Sequence, residues 1–176
     1  MKKTKNIGWV IIIEGFAGSG KSSIAKKILN PINKKIGNTI LLDGDYVRNF
    51  FKSLKISFGY TKKERSRSAI PTAELIKLFS QNNINIIYPC VGYNKFATKL
   101  WYKSFKNLVY IQIRSDIKKI IKFGKKKMYK NTKKNITGLD IKPFFNKKAD
   151  IILRNDFDQP ISKISNSIIK KILKII

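Results

Sequence analysis

The glycine-rich segment at residues 15–22, Gly-Phe-Ala-Gly-Ser-Gly-Lys-Ser, constrains this chain most, because it matches the pattern G-x-x-x-x-G-K-[ST] in full. A bound polyphosphate explains each fixed residue of the pattern. Glycines let the backbone curl so that successive N–H groups point at phosphate oxygens. The N-terminal end of the following helix adds a partial positive charge. Lys21 can reach the β and γ oxygens, and the hydroxyl of Ser22 can ligate Mg²⁺.

The context of this loop supports a nucleotide site. An apolar run at residues 9–13 predicts a strand before the loop, and residues 22–30 predict a helix after it, which we expect Pro31 to halt. A glycine- and serine-rich turn without a nucleotide is the less favoured interpretation, because Lys and Ser stand at the required places. We expect Lys21 to be an exposed loop residue. The predicted phosphate-binding residues are Gly15, Ala17, Gly18, Ser19, Gly20, Lys21, Ser22 and Ser23.

Length and composition exclude several classes of protein. The 176 residues are enough for one α/β domain over residues 1–176, and a single cysteine, Cys90, rules out an internal disulfide. The chain has no histidine, so a general base must be Asp, Glu, Lys or Tyr. A basic start and a short apolar run ending at Glu14 predict a strand rather than a signal peptide. No run is long enough to span a bilayer, so we expect a cytoplasmic enzyme.

The formal charge of +28, from 38 Lys and Arg against 10 Asp and Glu, has two interpretations. One is a surface that binds nucleic acid. The other is compositional drift, since Lys, Ile, Asn, Tyr and Phe are the residues that an AT-rich genome favours. Drift is the preferred interpretation, because the lysines are spread along the whole chain without regularly interleaved aromatics. Both interpretations predict attraction for small polyanions.

Continuous apolar runs alternate with helical patterns, which is typical of a parallel sheet covered on both faces. The predicted strands are residues 9–14, 38–42, 84–88, 109–113 and 151–153. A capping box at residues 61–64 opens a predicted helix to about Gln81, which Pro71 bends or interrupts. Further helices are predicted from Asp116 to about Gly124 and over residues 161–176. The buried side of the helix after residue 61 is predicted to carry Ala73, Leu75, Ile76, Leu78 and Phe79.

Residues 122–134 are polar and strongly cationic. A solvated surface loop is one interpretation. We favour a lid, a mobile segment that closes over bound phosphates and excludes water.

The second predicted strand ends in Asp43-Gly44-Asp45, followed three residues later by Arg48. Strand ends at the carboxyl edge of a parallel sheet face the same crevice as the phosphate-binding loop. Two carboxylates there can orient Mg²⁺ and accept a proton from a hydroxyl, and an arginine can hold an anionic group by paired hydrogen bonds. The third strand ends in Tyr-Pro-Cys without an aspartate, so these aspartates would do the metal work.

With these motifs in order, the chain resembles the adenylyl-sulfate kinases over nearly its whole length. The blocks that carry the resemblance lie at residues 15–23, 42–48, 58–65, 73–79, 128–130 and 137–140. The resemblance implies a doubly wound α/β P-loop kinase with a short lid, which moves the γ-phosphoryl of ATP to the 3′-hydroxyl of adenylyl sulfate. It implies ATP, Mg²⁺ and a small anionic nucleotide-like acceptor as ligands, and leaves a homodimer open.

The resemblance also implies a role for individual residues. Asp43 and Asp45 would lie at Mg²⁺ and the acceptor hydroxyl, Arg48 would hold the acceptor's anionic group, and Tyr60 would stack on its base. Lys130 would lie in the lid. Lys21, Asp43 and Asp45 are the predicted catalytic residues, Ser22 and Asp43 the predicted metal ligands.

The sequence departs from that family in the acceptor pocket. Ser68 and Ile70 stand where the family has an Asn and an Arg, residues 90–94 lack a Ser and an Arg of the family, and Ile136 stands where a second ring stacks on the base. At the ATP base, the arginine that the family packs there is replaced near Phe123. Retained phosphate machinery with an altered pocket resembles a subgroup that phosphorylates cytidine diphosphoramidate. Adenylyl sulfate is the favoured acceptor, by a small margin, and cytidine diphosphoramidate is the alternative. The alternative from another class is a basic nucleotide-dependent protein that binds nucleic acid.

Overall fold

The computed structural model describes residues 7–123, 129 and 134–176. Within them, five strands form one sheet in the order β2-β3-β1-β4-β5, and every pairing is parallel. The five predicted strands are confirmed, with their ends shifted by one or two residues. They are β1 (Val10–Gly15), β2 (Thr39–Leu41), β3 (Asn85–Cys90), β4 (Leu108–Arg114) and β5 (Ile151–Arg154).

Six helices accompany the sheet in the part of the chain that the structure describes. They are α1 (Lys21–Ile36), α2 (Gly44–Ser53), α3 (Lys62–Ser80), α4 (Lys95–Ser104), α5 (Ile117–Phe123) and α6 (Ile161–Ile172). The short helices α2 and α4 were not predicted. Each begins after a residue whose side chain accepts backbone hydrogen bonds, Asp43 for α2 and Asn94 for α4.

The helices lie on both faces of the sheet, which confirms the doubly wound architecture. Along β1, Ile11 and Ile13 pack in one cluster with side chains of α1 and α6. Val10 and Ile12 point to the other face and pack with side chains of α2, α3 and α4. Because both faces are covered, the strand is apolar at successive positions.

The expectation that Pro31 halts the first helix was wrong. α1 continues through Pro31 and ends only at Gly37, whose φ of 70° suits a glycine. One helix hydrogen bond is lost at Pro31, but fully buried Ile28 and Ile32 on either side of it hold the helix to the sheet. α3 likewise runs uninterrupted past Pro71.

The start of α3 is the predicted capping box. The Thr61 hydroxyl accepts from the backbone N–H of Glu64, and the Glu64 carboxylate accepts from the N–H of Thr61. The prediction of which side of α3 is buried was only partly right: Ala73 and Ile76 are buried, whereas Leu78 is 59% exposed. Among the described residues, no helix is both long and apolar enough to cross a membrane.

Candidate active site

A cavity of about 1500 Å³ opens at the carboxyl edge of the sheet. Its walls come from the glycine-rich loop, the Asp-Gly-Asp turn, α3, the loop after β3, the segment at residues 134–137 and the loop after β5. This is where ligands bind in open parallel sheets. The predicted site residues that line it are Ala17, Gly18, Gly20, Lys21, Ser22, Ser23, Asp43, Asp45, Arg48, Tyr60 and Ile136.

Two of the predicted phosphate-binding residues, Gly15 and Ser19, are not among the residues that line the cavity. Gly15 is the last residue of β1, and Ser19 is fully buried. They are packed so closely that a Cβ added at Gly15 would lie 2.6 Å from the Ser19 Oγ. Gly15 therefore serves the close packing of the loop on the sheet.

Lys21 is buried, which corrects the expectation that it is an exposed loop residue. It is the first residue of α1, only 7% of it is exposed, and its Nζ donates to the carbonyl of Phe16 at 2.7 Å. The side chain therefore folds back over the loop and holds a positive charge at its centre.

Asn155, in the segment after β5, fixes the loop from the other side. Its Nδ2 donates to the carbonyl of Ser19 at 2.9 Å. Gly20, with a φ of 87°, lies so close that an added Cβ would be 2.9 Å from the same nitrogen. Tyr129 braces the loop as well, since its hydroxyl donates to the carbonyl of Ala17 at 2.7 Å. Sequence reasoning missed Asn155, which belongs to no motif.

The residues present fit a bound nucleotide with its metal ion. The Thr137 Oγ1, at the cavity wall, is buried without a hydrogen-bond partner within the described residues, and such an orphaned atom is typical of a site that receives a ligand. Ser22 and Asp43 both line the cavity and offer the hard oxygen atoms that Mg²⁺ prefers. No cluster of three Asp, Glu, His or Cys side chains is found in the described part of the chain, but Mg²⁺ needs only one or two protein ligands beside phosphates.

The Asp-Gly-Asp turn joins β2 to α2. The Asp43 Oδ1 accepts from the backbone N–H of Asp45 at 3.0 Å and so caps α2. Gly44 packs against β3, where an added Cβ would be 3.1 Å from the carbonyl of Pro89. This packing brings both carboxylates to the cavity.

Two arginines lie against the ring of Tyr60. The Arg48 Cζ is 4.4 Å and the Arg65 Cζ 5.6 Å from the ring centroid. Arg48 donates to the carbonyls of Phe58 and Gly59, and Arg65 to those of Tyr60 and Asn135. Desolvation and the nearby charge of Arg48 lower the pKa of Arg65. Two guanidinium groups held at one wall of a cavity form a site for an anion.

Sequence reasoning did not assign a role to Arg65. The feature of the sequence that could have pointed to Arg65 is its position directly after Glu64, the last residue of the capping box. That position lies at the start of the helix that lines the cavity.

The altered acceptor positions fall in different places. Ser68 lines the cavity, but Ile70 lies on another face of α3 and is 50% exposed, so the expected loss of a clamp at Ile70 does not change the cavity wall. Ile136 does line it, yet is only 1% exposed and packs with Phe16 and Tyr93. Lys130 and most of the predicted lid lie outside the described residues.

At the far end of the cavity, the rings of Phe123 and Phe157 lie 6.0 Å apart, and both residues line it. Phe123 was noted in the sequence only as a departure, and Phe157 was missed. Flat apolar side chains at this place can pack against a nucleotide base.

One cavity combines a phosphate-binding loop, two carboxylates after the second strand and two arginines. This combination defines the class of P-loop kinases. Residues 7–154 match the sequence model of the family described as Adenylylsulphate kinase, so the chain belongs to that family. It is an ATP-dependent phosphotransferase that acts on a hydroxyl group.

Known proteins similar to the chain span both acceptors considered above. The cytidine diphosphoramidate kinase of Campylobacter jejuni is 26% identical over 172 residues, which cover 96% of this chain and 98% of that protein. The adenylyl-sulfate kinase of Clostridium acetobutylicum is 31% identical over 147 residues, 79% of this chain and 70% of that one. The structure of Mycobacterium tuberculosis APS kinase in complex with AMPPNP and APS is similar in fold, with a TM-score of 0.79, 19% identity and coverage of 95% and 98%.

Proposed function

We propose that this chain transfers the γ-phosphoryl group of ATP, with Mg²⁺, to a hydroxyl of a small anionic nucleotide-like acceptor. The observation that carries this proposal is the pair of guanidinium groups, Arg48 and Arg65, beside Tyr60 in the cavity that also holds the phosphate-binding loop. In this proposal, the glycine-rich loop holds a triphosphate, and the two arginines hold an anion attached to a flat ring.

The donor half of the site neutralises charge. Backbone N–H groups of Gly18, Gly20 and Lys21 hold the phosphates, and the Lys21 ammonium spreads the charge that develops on the γ-phosphoryl group. Ser22 and Asp43 would hold Mg²⁺, which supplies further neutralisation when bound. Phosphoryl transfer needs little covalent chemistry from the protein, so positioning and charge carry most of the rate.

In the acceptor half, Asp45 is the proposed general base that takes the proton from the hydroxyl. The chain has no histidine, which leaves Asp, Glu, Lys and Tyr as candidate bases, and Asp45 is a carboxylate that lines the cavity. Arg48 and Arg65 hold the acceptor's anionic group by paired hydrogen bonds, while Tyr60 stacks on its base. Lys130, in the predicted lid, would contact the acceptor when the site closes.

Adenylyl sulfate and cytidine diphosphoramidate are the two candidate acceptors. The description of the family favours adenylyl sulfate. Two observations favour the cytidine compound: the relative from Campylobacter jejuni aligns over nearly its full length, and buried Ile136 offers little surface for stacking. We place the reaction in the cytoplasm, where ATP is supplied.

The test is an acceptor screen with ATP labelled in the γ position. We expect label to reach adenylyl sulfate, cytidine diphosphoramidate or a plain nucleotide, and to reach none of them in the Lys21→Ala variant. ATP turnover that only DNA or RNA stimulates, with a steep dependence on salt, would instead support the nucleic-acid-binding alternative.

A further inference from the structure

A buried carboxylate lies directly beneath the phosphate-binding loop. Glu14 precedes Gly15 in β1 and is 1% exposed. In the sheet it lies opposite Cys90 of β3 on one side and Gln112 of β4 on the other. A charged group so deeply buried costs free energy unless hydrogen bonds compensate it, so its partners indicate what it holds in place.

Three groups, from β4 and from the loop after β3, hydrogen-bond to this carboxylate: those of Gln112, Tyr110 and Tyr93. Gln112 donates from its Nε2 to one carboxylate oxygen at 2.8 Å, and the backbone N–H of Tyr93 donates to the other. The second end of the Gln112 amide is also used, because its Oε1 accepts from the Arg114 Nε at 3.0 Å. Burial raises the pKa of Glu14, while the bonds from Gln112, Tyr93 and Tyr110 and the nearby charge of Lys21 act in the opposite direction.

The loop after β3 is built around this contact. A Cβ added at Gly92 would lie 1.9 Å from the Glu14 Oε1, so only glycine fits there. Tyr93 has a φ of 60°, a left-handed conformation that is unfavourable for a tyrosine. Such a conformation persists only where the surroundings hold it. Here the Glu14 carboxylate accepts a hydrogen bond from the backbone N–H of Tyr93, and the carbonyl of Ile113 accepts one from the Tyr93 hydroxyl at 2.7 Å.

The same loop forms a wall of the cavity, the acceptor wall, beside α3, the helix that carries Arg65 of the proposed acceptor site. Val91, Gly92 and Asn94 line the cavity. The Asn94 Nδ2 donates to the Ser66 Oγ of α3 at 3.0 Å, and its Oδ1 caps α4. Glu14 fixes the backbone of Tyr93, the residue before Asn94. The position of this wall against α3 therefore depends on Glu14.

We propose that Glu14 is a positioning residue that holds the loop at residues 91–94 in the shape required for acceptor binding and ties it to the phosphate-binding loop. This role rests on the proposed function, since it concerns the acceptor half of that site. Glu14 itself acts through Tyr93 and is not in the cavity wall formed by the described residues.

Two variants separate this role from simple support of the fold. In Glu14→Gln, the new amide oxygen can accept from Tyr93, but its NH₂ group then faces the NH₂ of Gln112. If the Gln112 amide turns so that its oxygen faces position 14, its NH₂ group faces the Nε–H of Arg114, and two donors meet there instead. Adding Gln112→Glu removes the conflict, because the new carboxylate accepts from both the amide at position 14 and Arg114. Glu14→Asp, which keeps the charge but shortens the side chain, is a second single variant should Glu14→Gln fail to fold.

Asn85→Asp is the matched control. Asn85 is also a buried polar residue, at the opposite end of the sheet, where its Oδ1 accepts from the N–H of Trp9 and its Nδ2 donates to the carbonyl of Gly37. Exchanging its amide for a carboxylate disturbs a buried pair of similar kind, far from the acceptor wall. We expect a loss of stability without a selective effect on either substrate.

The measurements are KM for ATP and for the acceptor, and hydrogen exchange of the Tyr93 amide by NMR in the full chain. For Glu14→Gln we expect the acceptor KM and the exchange rate each to rise about tenfold, as for one weakened charge-assisted hydrogen bond. The ATP KM should change less, and only through the lost charge that Glu14 presents to Lys21. The double variant should recover most of both effects. Equal effects on both KM values, unchanged Tyr93 exchange, or the same selective effect in Asn85→Asp would overturn the proposal. If the wild-type chain phosphorylates no nucleotide acceptor, the proposed function fails, and Tyr93 exchange alone decides the role of Glu14.

Discussion

At the scale of single residues, Lys21 is held inside the phosphate-binding loop and is not displayed on it. The motif predicted the identity of this lysine and its place before Ser22. It could not predict that the carbonyl of Phe16 accepts from Nζ, because that contact depends on how the loop curls. The buried lysine therefore contributes to the shape of the loop as well as to the proposed chemistry.

Lys21→Ala is predicted to lower kcat/KM by about 100-fold or more, because one strong donor to the developing charge is lost. A loss of about 1 kcal/mol in the free energy of unfolding is expected as well, since the bond to Phe16 disappears. Steady-state kinetics and urea unfolding measure the two effects. Lys26→Ala, at an exposed position of the same helix, is the control. Wild-type kinetics in Lys21→Ala would rule out the assigned role.

Arg48→Lys is predicted to raise KM for the acceptor far more than KM for ATP. Lysine cannot make the paired hydrogen bonds of a guanidinium, and it does not stack flat on Tyr60. Initial rates with each substrate varied in turn give both constants, and Arg67→Lys, at an exposed position on α3, is the control. The same rise in both constants would show that Arg48 does not contact the acceptor.

The sequence predicted those site residues that belong to short motifs, and the structure brings most of them to one cavity. Asp43, Asp45 and Arg48 were found because each follows a strand end or lies one helical turn beyond it. Arg65 and Asn155 were missed as site residues, because their roles depend on contacts across the chain, to Asn135 and to Ser19. No local pattern encodes such contacts.

At the scale of helices and strands, burial outweighed local helix breakers. The prediction that Pro31 ends α1 used a local rule, whereas Ile28 and Ile32 pack fully against the sheet on both sides of it. The strands were predicted well because two covered faces require continuous apolar runs. α2 and α4 were missed because each is only 10 residues long, so that the helical pattern in the sequence is short.

Thr61→Ala is predicted to lower the free energy of unfolding by about 1 kcal/mol, because the N–H of Glu64 loses its capping oxygen. Urea unfolding monitored by circular dichroism measures the change. Ser53→Ala removes an exposed hydroxyl that donates to the carbonyl of Phe50 near the end of α2, and should change little. An equal loss in both variants would mean that the cap does not stabilise α3.

The effect of Thr61→Ala should depend on pH. The hydrogen bond from the Thr61 hydroxyl lowers the pKa of Glu64, so this bond stabilises the fold above the unfolded pKa of about 4.3 and is lost as pH falls through the folded value. The difference in stability between wild type and Thr61→Ala should therefore be smaller at pH 3 than at pH 7. A larger difference at pH 3 would contradict this assignment.

At the scale of the whole molecule, the order of strands and helices places the two halves of the site together. The alternation of apolar runs and helical patterns predicted this arrangement, because only a few parallel topologies satisfy it. The charge of +28 favours capture of anionic substrates at low salt. A homodimer remains a prediction, which sedimentation velocity at several concentrations tests.

This chain is predicted to be a poor kinase of adenylyl sulfate. Ile136 replaces a stacking ring and is buried against Phe16 and Tyr93, and a stacking interaction is worth about 1 kcal/mol, or up to about tenfold in kcat/KM. Loss of the side-chain amide at Ser68 should add to this effect, whereas Ile70 should not, because it lies away from the cavity. A comparison of kcat/KM for adenylyl sulfate and cytidine diphosphoramidate at fixed ATP and Mg²⁺ measures it. Turnover of adenylyl sulfate at the rate usual for metabolic kinases would contradict the prediction.

Phosphorus NMR of a reaction with ATP, Mg²⁺ and the best acceptor from the screen tests phosphoryl transfer most directly. We predict a new phosphate-monoester signal on the acceptor that grows in step with ADP, in equal amounts, and that is absent with Lys21→Ala. Formation of ADP and inorganic phosphate with the acceptor unchanged would contradict the account.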